Sequence, residues 1–248
     1  MKKHLKLFVF LGSIIAVFVI YKLFTSESNK IYYIALGDSV AEGMNPYGEI
    51  VYGYPDYIKD YLKEQERLTF YTKEFAKSGY TTENVRYDIE NNKTIEVDGK
   101  RINIRQALRE SDLVTISIGA NDFIKGLTIT DVPSKLINLK ESKKEIDAIG
   151  FKVKELLKLV KKYAKNQIIL VSYYNPLPAL KSVKSEIDEL IKYSNNVYEE
   201  ICNDLNITYV NIFDIFDDND DYLPNPMDIH PTTKGYKEIA ELIIKEIE

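Results

Sequence analysis

The sequence predicts a three-layer α/β/α domain built on a five-stranded parallel sheet, preceded by a single transmembrane helix. Three observations carry this expectation. Five short apolar runs alternate with segments of helical periodicity, as they must when parallel strands are joined by long crossovers and the sheet is covered on both faces. Residues 31–248 form a stretch of ordinary single-domain size, without repeats or low-complexity tracts. The first residues contain an uncharged apolar run of nearly membrane thickness.

That run is residues 7–21 (LFVFLGSIIAVFVIY), flanked by Lys6 and Lys22, whose stems are long enough to snorkel and extend the apolar reach to Phe24. It is apolar on all faces, unlike a surface helix. Lys2, Lys3 and Lys6 precede it, so the positive-inside rule leaves residues 1–6 in the cytoplasm, with residues 7–24 as a signal anchor. A linker, residues 25–30, then leads to a domain spanning residues 31–248 outside the membrane. The linker spans about 20 Å at most, so the domain is expected close to the bilayer. The same segment also fits a signal-peptide core, with Ser26-Glu27-Ser28 as a weak cleavage site and a secreted product.

Within the domain, residues 31–36 read as a strand ending at Gly37. Tyr54, Tyr57, Ile58, Tyr61 and Leu62 then follow the spacing of one helix face. These tyrosines are assigned to the core, whereas Tyr47 and Tyr52, ahead of the helix, are better placed to line a cleft. Residues 69–75 form a second strand, and Thr81 or Thr82 caps the next helix. Residues 93–104 alternate about Asp98-Gly99 and read as a hairpin inserted between helices. Strands follow at 113–118, 167–173 and 207–213. Helix faces are marked by Val153, Leu156, Leu157, Val160 and Ala164, by Ile187, Leu190, Ile191, Val197 and Ile201, and by Tyr236, Ile239, Ala240, Ile243, Ile244 and Ile247, the last opened by Thr232 or Thr233.

Composition narrows the function. With 33 Lys and Arg against 38 Asp and Glu the chain is acidic, which disfavours a nucleic-acid footprint. The lone Cys202 excludes an intramolecular disulfide and any CxxC metal site, and its helical neighbours mark it as core filling. The acidic run Asp214, Asp217, Asp218, Asp220 and Asp221 lacks the glycine and terminal glutamate of a calcium loop and reads as solvated. No phosphate-binding or dinucleotide fingerprint occurs, so no cofactor and no metal are implied.

A serine needs a neighbouring base to become a nucleophile at neutral pH, and imidazole is the usual one. The chain has two histidines. His4 precedes the apolar segment, which leaves His230, in Asp228-Ile229-His230-Pro231, as the candidate base for Ser39 in Gly37-Asp38-Ser39. Ser39, Gly79, Asn121 and His230 all fall in loops after expected strands, where ligands bind in open α/β sheets.

Gly37-Asp38-Ser39 after the first strand, Gly79 after the second, Gly119-Ala120-Asn121-Asp122 after the third and Asp228-Ile229-His230-Pro231 before the last helix together resemble the four blocks of the GDSL, or SGNH, hydrolases. The resemblance runs from about Ile31 to Ile247, and four short blocks in the right order are far more specific than any one of them. It is nearest to membrane-anchored acylhydrolases of Gram-positive bacteria, which share the N-terminal anchor and the small hairpin. It implies a flavodoxin-like fold and a serine esterase or acylhydrolase of the lipase or lysophospholipase kind. It further implies Ser39 as nucleophile, His230 as base and an oxyanion hole made of the Ser39 N–H, the Gly79 N–H and the Asn121 side-chain amide.

The chain departs from the family in the last block. The acid usually stands three residues before the histidine, a position held here by Met227, and the nearest carboxylate is Asp228. Either Asp228 completes a triad through a shifted loop, or a backbone carbonyl orients the ring and leaves a dyad. Gly37-Asp38-Ser39-Val40-Ala41 also nearly matches the nucleophile elbow of α/β-hydrolases, but only one strand precedes it and acid and base share one loop, against that fold's order. Two other functions stay open: a carbohydrate O-acetylesterase acting on cell-wall or capsular polymer, and a surface interaction module without chemistry. The expected partners are an ester substrate and, through the N-terminal helix, the membrane.

Overall fold

The sheet is assembled from strands whose two faces are both apolar. In β1 (Ile31–Gly37), Ile34 and Leu36 enter one hydrophobic cluster while Ile31, Tyr33 and Ala35 enter another, the period of two that a pleated strand imposes. A computed structural model describes residues 30–125, 138–177, 181–216, 219, 221–226 and 228–247. The expected anchor, residues 7–24, lies outside the described residues. Among the described residues no helix is long and apolar enough to cross a membrane.

The described elements run in order β1, α1 (Ser39–Glu42), α2 (Tyr54–Glu64), β2 (Leu68–Ala76), α3 (Thr82–Glu90), the hairpin β3 (Thr94–Val97) and β4 (Lys100–Asn103), then α4 (Ile104–Glu110), β5 (Leu113–Ser117) and α5 (Ala120–Ile124). They continue with α6 (Leu139–Tyr163), β6 (Gln167–Val171), α7 (Lys184–Leu205), β7 (Thr208–Val210) and α8 (Thr233–Ile244). Five strands form one parallel sheet in the order β2-β1-β5-β6-β7. That is the doubly wound flavodoxin-like order, with its switch point between β1 and β5. One face is covered by α3, α4, α6 and α7, and the other by α2 and α8, giving the three layers.

The boundaries differ from the sequence expectation where local polar contacts intervene. Ile104 opens α4 rather than closing the hairpin, because the Asn103 side chain accepts from the Gln106 N–H at 3.0 Å and caps a helix there. Helix α6 starts fourteen residues before the Val153 that marks its apolar face. Its first turns are rich in Lys and Glu and bury only Ser142, Ile146, Ile149 and Gly150. The last strand is only three residues long, and Asn211 turns the chain by accepting from the Phe213 N–H at 2.9 Å. Cys202 is fully buried, as expected of a packing residue, and burial pushes its thiol up to about 12. Of the acidic run, Asp221 pairs with Lys234 at 3.0 Å, whereas Asp217, Asp218 and Asp220 lie outside the described residues.

The sheet's carboxyl edge is drawn together at β1 and β5. A Cβ on Gly37, whose φ is 130°, would stand 1.9 Å from the Ser117 carbonyl oxygen. Glycine alone permits that approach, and the same carbonyl then accepts from the Asp38 N–H at 3.0 Å. The chain thus leaves β1 turned toward β5, directly before Ser39.

Candidate active site

Ser39 is the first residue of α1, and Asp38 caps it, its carboxylate accepting from the Val40 N–H at 3.1 Å. The Ser39 side chain is buried against the loop that precedes α8, where Ser39 Oγ lies 2.8 Å from His230 Nε2. On the other side of the ring, His230 Nδ1 lies 2.7 Å from Asp228 Oδ1. A carboxylate only accepts, so Nδ1 carries the hydrogen and Nε2 presents its lone pair to the serine hydroxyl. The same Asp228 oxygen accepts from the His230 backbone N–H at 2.8 Å, which lets an acid two residues before the histidine reach the ring. Met227, the position of the usual acid, lies outside the described residues.

That loop is held from three sides. Tyr174 donates to the Ile229 carbonyl at 2.7 Å, the Asp228 N–H donates to the Asn225 carbonyl at 3.1 Å, and the Asn225 amide donates to the Pro46 carbonyl at 2.8 Å. The imidazole therefore meets Ser39 as part of a fixed constellation.

Asn121 lies on α5 and donates through Nδ2 to the Tyr80 carbonyl at 2.9 Å, leaving its second N–H without an acceptor among the described residues. Gly79 sits in the turn Lys77–Tyr80, closed by the Tyr80 N–H donating to the Lys77 carbonyl at 3.0 Å. Its φ of 79° is the reason for glycine, since a Cβ there would meet nothing within 4 Å. Among the described residues neither the Ser39 nor the Gly79 amide donates to a protein acceptor. Together with the free Asn121 N–H these are three donors at the carboxyl edge of the sheet.

The serine opens onto a cavity of about 190 Å³. Its walls are mostly apolar, formed by Phe123 on α5, Ile146 and Ile149 on α6, and Ile187, Leu190 and Ile191 on α7, with Asp38, Ser117, Ser172 and Ser194 beside Ser39 and Asn121. Tyr173, Tyr174 and Tyr198 complete it, and burial raises all three hydroxyls, so they stand there neutral. Tyr47 and Tyr52 do not line it. Tyr47 is 74% exposed and Tyr52 37% exposed on the loop after α1, outside this cavity, although the sequence ranks them above the helix tyrosines as cleft residues. The cavity residues carried only an ordinary core signal in the sequence, because the half of α7 that lines it also buries its apolar face.

Residues 35–238 match the model of the GDSL-like lipase/acylhydrolase family. The chain belongs to that family. It is a serine ester hydrolase. No curated protein matches it. Among solved structures, this GDSL-type domain is similar to the lipase Lip_vut3 from a goat rumen metagenome, with a TM-score of 0.69 at 19% identity over 87% of this chain and 99% of that one. It is similar to an extracellular lipase from Streptomyces rimosus, with a TM-score of 0.64 at 17% identity over 86% and 98%. It is also similar to the acetylxylan esterase Axe2 from Geobacillus stearothermophilus, with a TM-score of 0.58 at 20% identity over 87% and 93%. At these identities the likeness is one of fold.

One further carboxyl stands beside Ser39 of this GDSL hydrolase. Asp38 is almost fully buried. Burial pushes it up from an ordinary 3.8 to about 7, against the opposing pull of the Val40 N–H and Ser117 hydroxyl, with the Asp122 charge adding to the rise. The native state therefore holds a proton that the unfolded chain releases. The stability this group contributes is full below about pH 3.8 and is lost as pH rises through about 7. Asp38→Asn cannot titrate, so its stability relative to the parent should improve by about 1 kcal/mol or more between pH 4 and pH 8. Urea unfolding at the two pH values measures this, and a stability difference that does not change with pH would contradict it.

Proposed function

We propose that Ser39 attacks the ester carbonyl while His230 takes its proton and later returns it to the leaving alcohol, with Asp228 orienting the ring and stabilising the imidazolium. The observation that carries this reading is the continuous hydrogen-bonded chain, 2.8 Å from serine to imidazole and 2.7 Å from imidazole to carboxylate. The Ser39 N–H, the Gly79 N–H and the Asn121 amide receive the negative oxygen of the tetrahedral intermediate. Each is a neutral donor fixed before the reaction begins. Attack yields an acyl-Ser39 and the free alcohol, and water activated by His230 then releases the acid.

The substrate we favour carries an apolar acyl chain. A chain bound in the cavity is buried among aliphatic walls, and each buried methylene contributes about 0.8 kcal/mol. An O-acetylesterase needs no such walls, and an interaction module needs no ordered Ser, His and Asp. For localisation, residues 7–24 would serve as a membrane anchor carrying the domain of residues 31–248 outside the cell. The chain enters that domain at the amino edge of β1, whereas Ser39 stands at its carboxyl edge, about 23 Å away for a seven-residue strand. The tether and the site would then lie at opposite ends of the sheet.

Three outcomes are expected. Ser39→Ala and His230→Ala should each lower kcat by more than about a thousandfold, without an additive loss in the double variant, and Asp228→Asn should lower it by orders of magnitude with little change in KM. Retention of more than a few percent of turnover by Ser39→Ala would refute the nucleophile, and a loss of less than about tenfold in Asp228→Asn would leave a dyad. In a p-nitrophenyl ester series, kcat/KM should be higher for octanoyl than for acetyl. Leu190→Trp should lower the octanoyl value by about tenfold and spare the acetyl one, whereas equal loss on both esters would argue against an acyl site there. Finally, fractionated cells should hold the enzyme in the membrane, removable by external protease but not by salt. Active enzyme in the medium, beginning near Asn29, would identify a cleaved signal peptide instead.

A further inference from the structure

The turn that carries Gly79 is gripped by residues that follow two other parts of the site within three positions. Glu42, three residues after Ser39, accepts from the Ser78 N–H at 2.6 Å, from the Ser78 hydroxyl at 2.5 Å and from Lys77 Nζ at 3.1 Å. On the far side, Asp122 accepts from the Thr82 N–H at 2.8 Å and from the Thr82 hydroxyl at 2.7 Å, and Asn121 donates to the Tyr80 carbonyl. The Lys77 N–H closes the frame by donating to the Gly37 carbonyl at 3.0 Å.

We infer that Glu42 is a positioning residue for ester hydrolysis, holding the Lys77–Tyr80 turn through Ser78 so that the Gly79 amide stays aimed at the reacting oxygen. This rests on the reading of Gly79 as an oxyanion donor. An ordinary surface ion pair does not account for the arrangement. The Glu42 side chain is only 14% exposed, and two of its three bonds go to Ser78, whose amide is the peptide directly before the Gly79 amide. With both Ser78 donors fixed on one carboxylate oxygen, the orientation of the next peptide has little freedom left. Because Glu42 rides on α1, the helix that Ser39 opens, nucleophile and donor are referred to the same short element. Burial raises the Glu42 carboxyl, but the Ser78 hydroxyl and amide and Lys77 outweigh it and hold it below the ordinary carboxylate range, so the grip persists into mildly acidic solution.

A boronic acid that adds to Ser39 mimics the tetrahedral intermediate, so its affinity reports the oxyanion site separately from ground-state binding. Glu42→Ala should lower kcat about ten- to a hundredfold and weaken boronate inhibition in parallel, with KM within about twofold, as expected when a donor is misplaced rather than removed. Glu42→Gln keeps one acceptor for the Ser78 amide and should recover part of both. If Glu42→Ala fails to fold, Glu42→Gln and Ser78→Ala carry the test, each with a loss of about threefold or more in kcat and in boronate affinity. Asn121→Ala, measured alongside, tests the oxyanion site itself. If Asn121→Ala loses both quantities while every Glu42 and Ser78 variant keeps them within twofold, the positioning role is overturned. If Asn121→Ala also keeps both, the oxyanion assignment falls and takes this inference with it.

Discussion

Ser39, its Asp38 cap and the foot of the Gly79 turn are all referred to one close approach, the Ser117 carbonyl against the bare α-carbon of Gly37. With no side chain on Gly37 the ends of β1 and β5 close together, and the carbonyl that would clash with a Cβ instead receives the Asp38 N–H. Asp38 is thereby placed to cap α1, and α1 presents Ser39 with its hydroxyl toward the imidazole. The Gly37 carbonyl in turn receives the Lys77 N–H at the foot of the Gly79 turn. A larger residue at position 37 would displace Ser39, the Asp38 cap and one end of the Gly79 turn together.

Charge is distributed around this point with contrasting consequences. Asp38 is buried with two long hydrogen bonds, so its carboxyl is driven toward the neutral form. Glu42 is partly buried but meets three donors, so it keeps its charge and serves as an anchor. Asp228 and Asp122 accept hydrogen bonds from His230 and Thr82. Asp38 and Glu42 thus divide by their partners rather than by their residue type. Desolvation acts on each of them, and the number and quality of donors decides the outcome.

Much of this was legible in the chain. The alternation of apolar runs and helical periods gave the parallel sheet because crossover length and two-sided burial leave few other solutions. Ser39, Gly79, Asn121 and His230 could be picked out because each follows an expected strand. The hairpin's end and the start of α6 were less legible: Asn103 redirects the chain through a single side-chain bond, and the Lys- and Glu-rich first turns of α6 show too few apolar residues to reveal their period. Tyr47 and Tyr52, the better cleft candidates by their place ahead of the helix, do not line the cavity. The tyrosines that do line it come from the segment after β6 and from α7.

The sequence by itself determined the fold class and the ester hydrolase family and singled out Ser39 and His230 as candidates, because these depend on local periodicity and on short motifs at the ends of strands. Only the tertiary structure decided that Asp228 reaches the ring, that the cavity beyond Ser39 is walled by α5, α6 and α7, and that Glu42 grips the turn of Gly79. These are contacts between side chains tens of residues apart, or between near neighbours whose geometry depends on how a loop is held. No period or spacing in the chain encodes such distances, which exist only once the sheet has brought its loops to one edge.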